Sequence, residues 1–385
     1  MAFRFNTVSE ADIRSSRGGN VMMDAILYDG PRNLLVTGRP GSGKTTVTLM
    51  RATRLSKMGK SVRILTYQNL LRISLQNIAD ATLSGCISTM HSWLLHNYSH
   101  WLDEKTSGPA LREKIEKKTD RFDEILIDEG QDLPLCVYQA LPGIAKRLSV
   151  GADTGQMLHS GGVSAEQIEE VLESQKQIMP IELQYNYRNY FEVYDFGRQF
   201  MEHAPSVHQS AILDNMPRGK GGTSSLPVMI QARDEDDTLE KLSNLLLDNE
   251  NVNVAVLLYF TDQVDRWHKR IKDRGFASTK FHSKMSEYER ELHAARMENI
   301  VVTTFKSAKG LEFQVVIMPE MQFAMGDPKF MTPEHYYVGC TRATEKLYLL
   351  YGTPALPAWA KSFRADSYVH IPNSPTAGTV QATSF

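Results

Sequence analysis

The sequence predicts an α/β protein built from two parallel-sheet domains. Two observations carry that prediction. Short β-rich apolar runs alternate with segments of helical period through most of the chain, and the first such run opens into a glycine-rich turn followed by a helix. A length of 385 residues suffices for two such domains with ordinary cores.

In chain order, Leu34-Leu35-Val36 reads as a strand and Lys44 to about Leu55 as the helix beyond the glycine-rich turn. Val62 to Thr66 is a second strand, and Ile125-Leu126-Ile127 a third that ends at two acids. Leu148 to Val150 and Ile181 to Leu183 continue the series. Val254 to Leu258, Ile300 to Thr303, Val315 to Met318 and Lys346 to Leu350 repeat it in the second half. A loop-rich stretch from Gly143 to Gly162 and the Met179-Pro180 pair place the boundary near 180. The expected division is an amino-terminal lobe over 1–180 and a carboxyl-terminal lobe over 181–357. The Ser/Thr/Pro/Ala-rich residues 358–385 are expected to be a flexible tail.

Composition narrows the class. The formal net charge is −2, from 43 basic and 45 acidic residues, which neither supports nor excludes nucleic acid, because one local basic groove suffices to bind it. Cys86, Cys136 and Cys340 are far apart and form no CxxC pair, which disfavours a zinc site or disulfide framework and fits a reducing compartment. The first residues, MAFRFNTVSEADIR, carry acids and lack the apolar segment of a signal peptide, and no run approaches the roughly 18 apolar residues of a membrane span. A cytoplasmic protein is expected.

Gly38-Arg39-Pro40-Gly41-Ser42-Gly43-Lys44-Thr45 matches G-x-x-x-x-G-K-[ST] in full, with Thr46 next in line. Glycines let backbone N–H groups turn toward phosphate oxygens, and the following helix adds its dipole. Lys44 is expected at the β- and γ-phosphates of ATP, and Thr45 at Mg²⁺. The run Asp128-Glu129-Gly130-Gln131-Asp132 follows the third strand. An acid at the carboxyl end of a buried parallel strand lies near such a phosphate loop. Asp128 is therefore the expected Mg²⁺ ligand and Glu129 the base that orients and deprotonates the attacking water.

D-E-x-Q-D resembles the second motif of the UvrD/Rep-like superfamily 1 (1A) DNA helicases, and further strings of that family appear in order as far as about Leu350. The resemblance implies two RecA-like P-loop domains with ATP in the cleft between them. Ile64 to Asn69 resembles the segment along single-stranded DNA, with Tyr67 and Asn69 as contacts. Ser88-Thr89-Met90-His91-Ser92 resembles T-x-H-S, with Thr89 and His91 gripping a phosphate. Ala152 to Gln156 resembles G-D-x-x-Q, whose glutamine, here Gln156, senses the γ-phosphate. Gln184-Tyr185-Asn186-Tyr187-Arg188 resembles Q-x-N-Y-R, which puts Tyr187 on the adenine and Arg188 on the γ-phosphate. Thr304 to Phe313 resembles T-x-H-x-x-K-G-L-E-F, placing Thr304 and Lys306 on the strand and Gly310 and Glu312 at ATP. Tyr337 to Ala343 resembles Y-V-G-x-T-R-A, with Arg342 as the second arginine finger.

The chain departs from that pattern in four places. No glutamine precedes Gln68, so the upstream adenine-reading glutamine is missing. Ala152 replaces a glycine, and Met157 to Gly162 stand where the family carries a base-stacking run, leaving His159 as a weak substitute. Lys306 replaces the motif histidine and can still hold a phosphate as a point charge. The intervals His91 to Asp128 and Arg188 to Thr304 span 37 and 116 positions, too short for the family's inserted subdomains, and 43 residues follow Arg342, too few for a nuclease. Arg112 to Arg121 and Arg218-Gly219-Lys220 are basic and read as solvated faces or as residual DNA contacts.

The resemblance implies an ATP-dependent translocase or helicase on single-stranded DNA, moving 3′ to 5′, with RNA left open as the strand. The alternative is an ATP-gated switch or motor subunit of a multiprotein repair or phage-defence complex, with a nuclease or effector as partner and no autonomous unwinding.

Overall fold

The computed structural model describes residues 1–83, 85–102, 105–118, 120–153, 162–201, 216, 226–322 and 332–373. Among them, thirteen strands form two sheets, and every recorded strand pairing is parallel. The first sheet contains β1 (Asn33–Gly38), β2 (Val62–Thr66), β3 (Ile87–Thr89), β4 (Glu124–Ile127), β5 (Leu148–Asp153) and β6 (Ile178–Leu183), in the order β3-β2-β4-β5-β1-β6. The second contains β7 (Val228–Gln231), β8 (Val254–Leu258), β9 (Thr279–Phe281), β10 (Ile300–Thr304), β11 (Phe313–Met318), β12 (Ala343–Tyr351) and β13 (Val369–Ile371), in the order β13-β7-β12-β11-β8-β10-β9.

The central strands β4, β5, β8 and β10 are buried at every position, as expected of parallel strands covered on both faces. The helix Lys44–Lys57 sits behind β1 and buries Val47, Arg51 and Leu55 on one stripe. Arg51 is fully buried. Its guanidinium donates to both carboxylate oxygens of Glu124 at 2.5 and 3.0 Å, and to the carbonyls of Ala25 and Tyr28 at 3.0 and 2.8 Å. That bridge fixes the register of the helix on the sheet.

Three expectations about chain division are corrected. Residue 180 is not a boundary: Pro180 lies inside β6, opposite Leu35 of β1, so the first sheet runs to Leu183. β6 is the sheet's edge strand, where a residue without an N–H costs no ladder bond. The amino terminus is not wholly part of the first lobe. Ala2 bridges Glu298, the Phe3 N–H donates to Met297 at 2.8 Å, and the Phe3 ring meets that of Phe313 at 5.6 Å. Residues 358–373 are not a loose tail. Trp359 and Phe363 are buried against Phe200, at ring separations of 5.0 and 4.7 Å, and β13 adds to the edge of the second sheet beside β7. Residues 374–385 lie outside the described part.

The lobes meet through packed apolar side chains. Leu70 and Ile73, on the helix Asn69–Ile78, share a cluster with Ala308 and Leu311 of the second lobe. Gly310 lies so close to Leu71 that a Cβ there would stand 2.9 Å from its side chain. No helix among the described residues is long and apolar enough to cross a membrane. All three cysteines are free.

Candidate nucleotide cleft and strand-contact surface

A cavity of about 1330 Å³ opens between the lobes. Its walls include Pro40 to Thr46, Glu129, Tyr187, Arg188, Gly310, Glu312 and Arg342, so residues from sequence strings up to 300 positions apart face one space.

The phosphate loop joins β1 to the helix that starts at Lys44. Gly41 and Gly43 have φ of 78° and 94°, the left-handed region that side chains disfavour. A Cβ on Gly41 would also lie 2.5 Å from Asn186 Oδ1. The buried Lys44 ammonium donates to the carbonyls of Gly38 and Arg39 at 2.8 and 3.1 Å and stands 3.4 Å from Asp153 Oδ2. The loop thus holds its own lysine across its mouth. Ser42 Oγ is buried and meets no hydrogen-bond partner among the described residues.

Thr45 Oγ1 donates to Asp128 Oδ2 at 2.8 Å, while the fully buried Asp128 Oδ1 meets no partner among the described residues. Burial, reinforced by the Glu129 charge, pushes the Asp128 carboxyl up to about 7. An orphaned carboxylate oxygen beside a threonine hydroxyl suits a hard divalent cation. Glu129 takes the opposite course. Burial would raise it, but Lys309 and Lys44 outweigh that and hold it down at about 2. Its backbone has φ 55° and ψ 48°, a conformation that strains a residue with a Cβ and recurs at functional positions. Gln131 Nε2 donates to Glu129 Oε2 at 2.5 Å, and Gln131 Oε1 accepts from the Asp153 N–H at 2.9 Å.

The two arginines reach the cleft differently. Arg188 belongs to the crossover that leaves β6, not to the body of the second lobe as expected, because β6 itself pairs with β1. Its Nε donates to Glu312 at 3.0 Å. Arg342 is fully buried and, among the described residues, donates to neutral oxygens: Val338 O at 3.0 Å, Leu311 O at 3.3 Å and Thr341 Oγ1 at 3.2 Å. Burial, and then repulsion from Arg188, lowers it to about 9. Tyr187 donates its hydroxyl to the Arg17 carbonyl and its N–H to Gly41 O at 2.9 Å, leaving the ring partly exposed along the cleft.

Three positioning groups were not singled out from the sequence. Lys309 of the second lobe is fully buried and donates to both oxygens of Asp132 in the first, at 2.7 and 2.9 Å, with Glu129 at 3.7 Å. Asn186 Oδ1 accepts from the N–H groups of Arg188 and Asn189 at 2.9 and 3.1 Å. The buried Asn189 donates to the carbonyls of Thr341 and Ala343, on either side of Arg342, at 3.1 and 2.5 Å. Lys309 and Asn186 stand inside quoted strings, and Asn189 directly follows one. Being polar within otherwise buried segments was the available signal.

The expected strand contacts are scattered by comparison. Thr89 Oγ1 caps the helix Met90–Tyr98 by accepting from the Ser92 N–H at 3.2 Å. Thr304 Oγ1 is paired with Ser307 Oγ at 3.0 Å. Tyr67 and His91 are half-buried with ring centroids 5.5 Å apart, and Asn69 starts the helix Asn69–Ile78. Lys306 is exposed. Of the basic stretch, Arg112 and Lys117 pair with Glu116 and Glu113 on their own segment, the pattern of a solvated face. Gln156, His159 and Arg218-Gly219-Lys220 lie outside the described residues.

Two stretches of sequence match known families: residues 25–161 an AAA domain, and residues 299–350 a UvrD-like helicase C-terminal domain. Together these matches support a UvrD/Rep-like family. The two domains mark a helicase-like P-loop NTPase. No curated protein sequence matches it. Among solved structures, S. cerevisiae Dbp5 bound to RNA and ADP BeF3 superposes on this chain with a TM-score of 0.54 at 11% identity, covering 92% of this chain and 88% of that one. A Dbp5 variant with the same ligands gives 0.52 at 11% identity, covering 92% and 89%. Likeness at this identity is one of fold, and it supports two RecA-like domains. The C-terminal domain of a possible DNA helicase from Lactobacillus plantarum WCFS1 matches 48% of this chain and 98% of its own length, at 17% identity and a TM-score of 0.34.

Proposed function

We propose that this chain is an ATP-dependent motor on single-stranded DNA that hydrolyses ATP between its lobes and steps 3′ to 5′, the polarity its family resemblance implies. The observation carrying the reading is the convergence of Lys44, Glu129, Arg188 and Arg342 on one interlobe cavity.

Phosphoryl transfer spreads negative charge over the transferred group, and catalysis is mostly positioning and charge stabilisation. In this reading Lys44 turns from its loop carbonyls to the β- and γ-phosphates, and Ser42 Oγ and the loop N–H groups receive further phosphate oxygens. Thr45 and Asp128 would hold Mg²⁺, which neutralises phosphate charge when bound. Glu129, kept ionised by its lysines, orients the attacking water and takes its proton. Arg188 exchanges Glu312 for the γ-phosphate. Arg342, with no carboxylate within salt-bridge reach among the described residues, finds in the transferring group the anion its burial calls for. Gln156 is assigned the γ-phosphate sensor role, Tyr187 the face of the adenine, and Gly310 with Glu312 the rim of the cleft. Hydrolysis breaks the covalent link between the γ-phosphate, held by the arginines, and the ADP held by the phosphate loop, and the lobes separate as phosphate leaves.

The test is steady-state ATPase of the purified chain with and without single-stranded DNA, with Glu129→Gln as the blank. We expect DNA to stimulate turnover, and Glu129→Gln to bind ATP while losing about 10²–10⁴ in rate, the usual worth of a general base. Wild-type turnover by Glu129→Gln would remove that residue from the role. Hydrolysis indifferent to DNA and RNA would favour the switch subunit and its protein partner.

A further inference from the structure

On the first lobe, past the carboxyl ends of β2 and β3, three aromatic rings form a continuous row. Tyr67 meets His91 edge-on at 5.5 Å and 74°, and His91 meets Trp101 at 5.8 Å and 56°. Trp101 ends the row with 64% of its surface exposed. The chain has four tryptophans, and Trp93, Trp267 and Trp359 are exposed by no more than 4%. A single exposed apolar side chain is ordinary. This one continues from Tyr67 and His91, two of the positions expected to face the strand.

Basic side chains meet two of the residues just before Trp101. His100, the preceding residue, is 3.3 Å from Lys114, and Lys118 lies over the ring of Tyr98 at 5.5 Å. An exposed flat ring held from the side by a second ring, with lysines meeting Tyr98 and His100 just before it, has the elements of a single-strand platform. Bases stack on the ring while cations follow the phosphates. Burial lowers the His91 pKa, so near neutral pH the ring supporting Trp101 is uncharged.

We propose that Trp101 is a stacking platform for one base of single-stranded DNA, supported by His91 and continued toward the interlobe cleft by Tyr67. The proposal rests on the strand-binding reading above and adds to it a residue that no family string contains.

Because Trp101 is the chain's one exposed tryptophan, its emission reports on the site directly. Titration of the full chain with a dT oligonucleotide should quench that emission in step with binding followed by anisotropy of a labelled strand. Trp101→Ala should weaken binding by about 5- to 150-fold, the worth of one base–aromatic stack, and Trp101→Phe should recover most of the loss. A strand of the same length made of abasic spacers should bind wild type and Trp101→Ala alike, which separates stacking from phosphate attraction. Unquenched emission during binding, or equal affinity of wild type and Trp101→Ala for dT, would overturn the platform while leaving strand binding intact. Failure of wild type to bind dT at all would overturn the strand-binding reading itself and the platform with it. Trp101-dependent binding of rU but not dT would overturn the DNA assignment.

Discussion

The candidate nucleotide cleft and the proposed strand-contact surface are built to different standards. In the cleft, Lys44, Asp128, Glu129, Arg188 and Arg342 each have partners within about 3 Å, and nearly all are buried. On the strand side, Thr89 and Thr304 are occupied with capping their own turns, while Lys306 projects into solvent. The contrast follows from the chemistry. Stabilising a transferring phosphoryl group requires fixed charges in a dry site, whereas a polymer backbone is held by many weak contacts that need little preorganisation. A cleft of this kind fails steeply when one group is lost; a strand surface loses affinity in increments.

The largest effect is expected at Arg342. Arg342→Ala should lower turnover by about 10³–10⁵, the range for arginine fingers, while nucleotide binding persists. Single-turnover hydrolysis beside nucleotide titration separates the two. A fall of less than tenfold would mean that Arg342 is a structural group held by the carbonyls of Val338 and Leu311, and the cleft would lose its claim to preorganisation.

Next in size is the interlobe bridge. Lys309→Ala leaves Asp132 buried without its cation, and losing one partner of a buried pair costs about 3–5 kcal/mol. Burial holds the Asp132 carboxyl up at about 6 even with Lys309 opposing it, so losing the lysine should drive it higher still. Urea unfolding should record the loss, and Lys309→Met combined with Asp132→Asn should recover part of it. An unchanged midpoint for Lys309→Ala would show that the lobes do not rely on this contact.

A smaller effect carries the opposite sign. The folded-state pKa of Asp128, about 7, lies above its ordinary 3.8, so the folded protein holds that proton more tightly than the unfolded chain. Stability from this group is therefore lost as pH rises through about 7, and Asp132 contributes with the same sign. Glu129 is shifted the other way, and its contribution disappears only below its ordinary 4.5. Asp128→Asn should stabilise the nucleotide-free protein above neutral pH by roughly 1–3 kcal/mol, the scale of a buried polar group without a partner. It should also flatten the fall of melting temperature between about pH 4 and 7. The same variant should lose stabilisation by Mg²⁺-nucleotide. A melting curve that keeps its wild-type pH slope would remove Asp128 as the strained acid.

The same contrast explains what the sequence disclosed. The cleft was legible because its residues occupy strand–turn–helix junctions, where a buried apolar run followed by Gly-Lys-Thr or Asp-Glu leaves little choice of geometry. β3, β9 and β13 were not: Ile87-Ser88-Thr89, Thr279-Lys280-Phe281 and Val369-His370-Ile371 are too short to show a period, and only their neighbours make them strands. Pro180 read as a boundary because its tolerance depends on β6 being an edge, a fact of topology. The segment after Pro357 read as loose because composition hides what two aromatics can anchor. The Lys309–Asp132 bridge spans 177 positions, so a polar Lys309 in a buried segment could be noticed but its partner could not.

The smallest expected effect tests the strand side of the comparison. Lys306 stands where the resembling motif carries histidine, is exposed, and lies close enough to the buried His335 that its charge helps, after burial, to lower that imidazole to about 4. A lysine held as a point charge on a phosphate releases about one counterion when the strand binds. Lys306→Ala should therefore reduce the slope of log affinity against log salt by about 0.7, the single-strand value per phosphate, and lower the ratio of stimulated to basal ATPase. Glutamine at the same position should behave like alanine, and arginine like lysine, because the contact depends on charge and not on hydrogen-bond geometry. If the slope is unchanged while affinity falls, Lys306 acts by packing beside His335. If slope and affinity are both unchanged, the strand does not pass the turn after β10, and the path must be sought along the Tyr67, His91 and Trp101 row alone.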